Sequence, residues 1–208
     1  MAGVAQSLES TPPALEVQAS PVGEDPTPQV HLRFGEPKGH FYFANLWVWG
    51  TLMQERRPGF FRLEGSEGPI LSFRFRLPRW VLGRTLGRFS WGRFWPRTKK
   101  DGTLDLKATQ LYSIVPWRES PEPGAFLTAQ GRLAAVDRER ATLTLEIRPN
   151  PDGLLKKPFT LVLLAPLSLM EALPPVGNGV YLEGEYRPKS RRLVVKAVVP
   201  RRLWDDPE

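Results

Sequence analysis

Nine basic residues stand between Arg74 and Lys100: Arg74, Arg76, Arg79, Arg84, Arg88, Arg93, Arg97, Lys99 and Lys100. No acidic residue interrupts them before Asp101, and Trp80, Phe89, Trp91, Phe94 and Trp95 are set among them. Cations interleaved with flat rings suit one chemistry in particular. Guanidinium and ammonium groups neutralise phosphates, and unpaired bases stack on aromatic faces at roughly 1–3 kcal/mol per base. Arginine does both, by phosphate contact and by lying over a ring. Catalysis asks instead for a placed acid, base or nucleophile, and the chain is poor in these. It has no cysteine and only two histidines, His31 and His40, neither with a metal-ligand partner at useful spacing. Glu183 and Glu185 are two apart on one strand face, a pattern that fits a solvated surface better than a cation site. No glycine-rich phosphate loop opens a helix. No enzymatic activity, metal or cofactor is expected.

The elements that must position the rings and cations occur twice. Trp91-Gly92-Arg93-Phe94-Trp95-Pro96-Arg97 and Glu183-Gly184-Glu185-Tyr186-Arg187-Pro188-Lys189 share the pattern x-Gly-x-aromatic-x-Pro-basic. Trp49-Gly50-Thr51-Leu52 matches Gln130-Gly131-Arg132-Leu133, and each is followed by a charged turn and an extended run ending Leu63-Glu64 or Leu145-Glu146. Where the copies agree, folding is the simplest cause; where they differ, one copy has room for a task. β-Branched and aromatic runs bounded by Gly and Pro predict strands near 43–53, 59–64, 69–77, 88–95 and 104–114, with a short helix over 78–86. The second copy repeats the plan with strands near 126–136, 141–147, 158–165, 179–186 and 192–199, and a helix over 167–173. Pro121-Glu122-Pro123-Gly124 reads as the junction.

Five strands with a short helix between the third and fourth resemble the OB-fold, a small partly open Greek-key barrel. The resemblance spans roughly Phe43 to Pro200 and rests on element order. It implies an all-β protein of two tandem barrels: residues 30–120 as a basic, aromatic first domain and 121–200 as a second. OB-folds commonly bind single-stranded nucleic acid, although the fold does not by itself confer that function.

Alternation along strands then predicts which side chains face out. Leu182, Gly184 and Tyr186 form the inward set of the second copy, so Glu183 and Glu185 are expected in solvent. The same phase sends Phe89, Trp91, Arg93 and Trp95 outward, and Trp47 and Trp49 with them. Ser72, Arg74 and Arg76 are expected outside, with Phe73, Phe75 and Leu77 inside. The expected nucleic-acid contacts are therefore Trp47, Trp49, Trp91 and Trp95 as stacking platforms. Arg74, Arg76, Arg88, Arg93, Arg97, Lys99 and Lys100 are the expected phosphate contacts. The ligand class is single-stranded DNA or RNA, DNA ahead of RNA. The competing expectation is an interaction scaffold or oligomerisation module that uses the same aromatic face, because exposed apolar patches often mark protein interfaces.

Charge supports an anionic partner. The 208 residues carry a net charge of +7. The first 29 residues hold Glu9, Glu16, Glu24 and Asp25 but no Lys or Arg; with those four acids set aside, the rest stands at +11. That segment, rich in Pro, Ser, Glu and Ala and without an aromatic residue, reads as a disordered acidic tail. Residues 201–208 read as a flexible C-terminal tail. A protein partner through the second domain or the acidic tail is a further expectation. The N-terminus lacks the features of a signal peptide, and no stretch is long and apolar enough to span a bilayer, so a cytoplasmic protein without membrane contact is expected. Abundant Pro and Arg with little Asn fit a thermophile.

Overall fold

The computed structural model describes residues 39–207. The expected acidic tail, and residues 30–38 of the expected first domain, lie outside the described residues. The chain is mostly β. In order, the strands are β1 (Phe43–Gln54), β2 (Phe60–Gly65), β3 (Gly68–Arg74), β4 (Phe89–Trp95) and β5 (Gln110–Pro116), then β6 (Gly124–Asp137), β7 (Thr142–Ile147), β8 (Phe159–Leu164), β9 (Gly179–Arg187) and β10 (Arg192–Pro200). A helix α1 (Arg79–Thr85) lies between β3 and β4, and α2 (Leu167–Glu171) between β8 and β9. No helix among the described residues is long and apolar enough to cross a membrane.

In the second half, β6 pairs with β7, β7 with β8, β8 with β10, β10 with β9, and β9 again with β6, so the five strands return on themselves. The β8–β10 contact is parallel and the rest are antiparallel. In the first half the order is β3-β2-β1-β4-β5, with no β3–β5 pairing among the described residues. Fully buried Leu46, Val48, Leu52, Leu63 and Phe94 fill the first half; Leu127, Leu133, Leu145, Leu161 and Leu193 fill the second.

The two halves are joined edge to edge. Strand β1 carries β4 along one side; along the other it pairs with β6 from Phe43 to Trp49 and then with β2 from Thr51 to Gln54. The β1–β6 register is symmetric about Leu46 facing Leu127: Trp49 faces Gly124 at one end and Phe43 faces Gln130 at the other. That symmetry matches the repeat, in which Trp49-Gly50 corresponds to Gln130-Gly131. Gly50 and Gly131 each sit where strand one leaves the other half and meets its own strand two. A Cβ on Gly50 would stand 2.5 Å from the Glu64 carbonyl oxygen, and one on Gly131 would stand 2.5 Å from that of Glu146. The motif glycines Gly92 and Gly184 correspond less closely. Val48 pairs with Gly92, whereas the equivalent Ala129 pairs with Leu182, a two-residue offset that preserves which face each side chain takes.

Three local expectations are revised. Strand five begins at Gln110 rather than 104, because Asp105 folds a turn by accepting from the amides of Lys107 and Ala108. Strand β3 ends at Arg74, so the alternation lapses and Phe75 is exposed although Phe73 and Leu77 are buried. The C-terminal segment is packed. Leu203 is buried, Asp205 and Asp206 accept from Arg132, and Asp205 also accepts from Tyr42 and Arg148.

Candidate functional site

The register puts Trp47, Trp49, Trp91, Arg93 and Trp95 on one face, opposite Leu46, Val48 and Phe94, as alternation predicts. That face is not simply solvent. Trp91 is only 5 % exposed. It lies between Trp49 and Val115 on the neighbouring strands, and its ring is 5.3 Å from that of Trp47. The expected exposure of Trp91 is therefore corrected: the rings of this face bury one another. Glu183 is likewise 2 % exposed rather than solvated, with the Tyr181 hydroxyl donating to it at 2.8 Å. Glu185 is half-buried and paired with Arg187 and Lys196.

The predicted contacts fall into separate groups. Trp47, Arg93 and Trp95 come together with Tyr112 as an alternating ladder. The Arg93 guanidinium lies 5.4 Å from the Trp47 ring centre and 4.6 Å from that of Tyr112. Tyr112 in turn packs 5.2 Å from Trp95. Arg93 Nε donates to Asn45 Oδ1 at 2.9 Å, which fixes the guanidinium plane. Trp49 lies apart with Trp117, 6.4 Å away and edge-on, and its Nε1 donates to the Glu122 carbonyl at 2.7 Å. Arg88 is exposed just before β4, near Phe89, whose ring meets Trp117. Arg74 belongs to the β2–β3 side, where it and Arg57 flank the Phe60 ring at 5.9 and 4.6 Å; Arg76 is exposed beyond it. Three strand spacings of about 4.8 Å each separate β3 from β4 around the first half. The eleven predicted residues thus do not form one patch.

The expected phosphate contacts Arg97, Lys99 and Lys100 stand on the β4–β5 connection. Most of it is docked on the second half. Thr98 Oγ1 accepts from the Val162 amide at 2.7 Å, Leu104 N donates to the Arg191 carbonyl at 2.7 Å, and Thr103 bridges to Arg192. Arg97 lies 3.4 Å over the Phe159 ring centre. Lys99 and Lys100 stay exposed at the turn tip, which is closed by Asp101 accepting from Thr103.

Tyr112 and Phe159 were missed in the sequence. A bulge in β5 causes the first omission: Arg93 pairs with Ser113 and Phe94 with Leu111, so Tyr112 has no opposite residue and its ring turns onto Arg93 and Trp95. The signal was present, because Leu111 and Ile114, both buried, are three apart and break the period of two. Phe159 carried no comparable signal.

Arg62 in the first half and Arg132, Arg148 and Arg187 in the second each engage carboxylates. Among the described residues, Arg74, Arg76, Arg88, Arg93, Arg97, Lys99 and Lys100 make no ion pair within 4.0 Å. Burial lowers the pKa of both Arg93 and Arg97, which remain charged at neutral pH. Among the described residues no group of three His, Asp or Glu side chains is arranged to hold a metal ion. The arrangement offers stacking and anion binding. Compared with known proteins, the chain matches no family model and no curated protein.

Proposed function

We propose that this chain binds single-stranded nucleic acid without catalysis, through the first half, and that its two five-strand units are OB-like barrels. The observation that carries the binding reading is the ladder Trp47–Arg93–Tyr112–Trp95. A half-buried guanidinium without a carboxylate is held between rings, and one of them, Tyr112, is 50 % exposed. A base stacks on Trp95 or Tyr112, and its phosphates meet Arg93, Arg97 and the exposed Lys99 and Lys100. Trp91 leaves the list of platforms and becomes support for Trp47. The barrel reading is supported by the cyclic pairing of β6 to β10, the parallel contact of its third and fifth strands, and a helix between its third and fourth. Residues 30–120 and 121–200 are then its two domains, and a cytoplasmic setting with DNA as the strand to test first completes the proposal.

The test is a titration of a fluorescent single-stranded oligonucleotide at two salt concentrations. A phosphate-tracking surface loses affinity steeply as salt rises, because condensed counterions are released. Undetectable binding in dilute buffer would sink the proposal.

One observation favours a second reading, an interaction scaffold. Trp80 on α1 is 67 % exposed, and the Arg84 guanidinium lies 5.9 Å from its ring centre. If protein docking is its task, Trp80→Ala removes self-association or partner capture and leaves oligonucleotide affinity unchanged.

A further inference from the structure

A cleft of about 210 Å³ opens beside the ladder, where the two halves meet. Phe41, Phe43, Trp95 and Arg97 line it from the first half. Leu154 and Phe159, from the β7–β8 connection and β8, close it from the second. Arg93 also reaches it. The volume is below the roughly 300–1,000 Å³ of pockets for drug-sized molecules, so it admits one ring system and not two stacked bases.

The charges in this cleft lack counterparts. A half-buried guanidinium without a carboxylate keeps its full positive charge available to an anion that enters the cleft. Arg97 uses one N–H on its neighbour's carbonyl, Pro96 O at 2.9 Å, and its face on Phe159. Arg93 uses its Nε on Asn45. The remaining guanidinium N–H groups of both have no acceptor among the described residues, and each guanidinium carries five in all. Asp152 also lines the cleft, but it is exposed and accepts from the Leu154 amide of its own turn. Asn150 is spent on the Tyr42 backbone, accepting at 2.8 Å and donating at 2.7 Å. What the cleft provides is flat apolar walls and two half-buried guanidiniums whose remaining N–H groups are open to solvent and so accessible to an anion.

We infer that this cleft seats a single nucleotide of the bound strand, with its base among Phe41, Phe43 and Trp95 and its phosphate on Arg93 and Arg97. The second half thereby completes a site that the first half carries. The inference rests on the single-strand reading and adds to it a composite, one-nucleotide subsite.

Leu154 gives a clean test because it is a wall of the cleft yet 67 % exposed, so its replacement leaves the fold intact. Thymidine 5′-monophosphate, thymidine and inorganic phosphate are titrated calorimetrically into the wild-type chain and into Leu154→Asp and Leu154→Gln, with thermal midpoints recorded for each. The monophosphate is expected to bind saturably and more tightly than thymidine or phosphate alone. Leu154→Asp should weaken it about tenfold through like-charge repulsion, and Leu154→Gln much less. Three results would each overturn the inference: no saturable monophosphate binding, phosphate binding as tightly as the nucleotide, or wild-type affinity in Leu154→Asp. If any of these occurs while the wild type still binds an oligonucleotide, the subsite is lost and the single-strand reading stands. If the wild type binds no oligonucleotide, the underlying reading fails.

Discussion

Trp91 and Trp95 share a face of β4 but meet different neighbours. Trp91 is enclosed by Trp47, Trp49 and Val115, whereas Trp95 is half-buried against Tyr112 at the mouth of the cleft. Their substitutions should therefore separate stability from binding. Trp91→Ala empties a packed site and is expected to cost about 3–5 kcal/mol in chemical denaturation. Trp95→Ala is expected to cost clearly less stability and to weaken single-strand affinity by about 1–3 kcal/mol, as loss of one stacked base does. Equal destabilisation of both variants with unchanged affinity would contradict this division. Sequence parity identified the side of the strand on which each indole lies. It did not identify what lies over that side, because the covering groups come from strands distant in sequence. The same gap explains Glu183, which is buried on its strand between Thr128 of β6 and Ala197 of β10.

At the scale of elements, ten strand positions and both helices were legible, since each is bounded by Gly, Pro or a charged turn. The failures mark places where one local interaction overrides alternation. Asp105 turns the chain before β5, and the β5 bulge redirects Tyr112. The repeat was most informative at Gly50 and Gly131, where matched glycines meet matched carbonyls of Glu64 and Glu146. Adding a methyl group at either should overpack the strand crossing and destabilise by about 1–3 kcal/mol. Denaturation of Gly50→Ala and Gly131→Ala checks this; two near-neutral substitutions would argue that the bend does not need glycine.

For the whole molecule, the join between the halves was not legible. The β1–β6 pairing unites two copies that the sequence presents as consecutive barrels, and the C-terminal segment fastens beside it. Burial works against ionising Asp205 and Asp206. For Asp205 the hydrogen bonds from Tyr42, Arg148 and Arg132 outweigh it; for Asp206 those from the Leu203 amide and Arg132 do, so both pKa values lie below the ordinary carboxylate range. Carboxylates depressed in the folded state stabilise fully above their unfolded pKa of about 3.9, and that contribution is lost as pH falls through the folded values. The Tyr42 hydroxyl moves the other way. Burial first, then its bond to Asp205, pushes its pKa up to about 12. Its contribution is complete below about 10, the unfolded value, and fades as pH rises through the folded one. Thermal midpoints should thus hold steady through neutral pH and drop in acid below about pH 4, with a smaller acid drop in Asp205→Asn. An equal acid drop in that variant would show that the fastening does not contribute.

In the proposed complex a single strand lies along the β4–β5 ladder. Ultraviolet crosslinking of a thymine-rich single strand, followed by mass-spectrometric mapping of the modified residues, tests it directly. Adducts are expected at Trp95 and Tyr112, lost in excess unlabelled single strand and retained in excess duplex. Adducts confined to β9 and β10, or none beyond a duplex control, would contradict this placement.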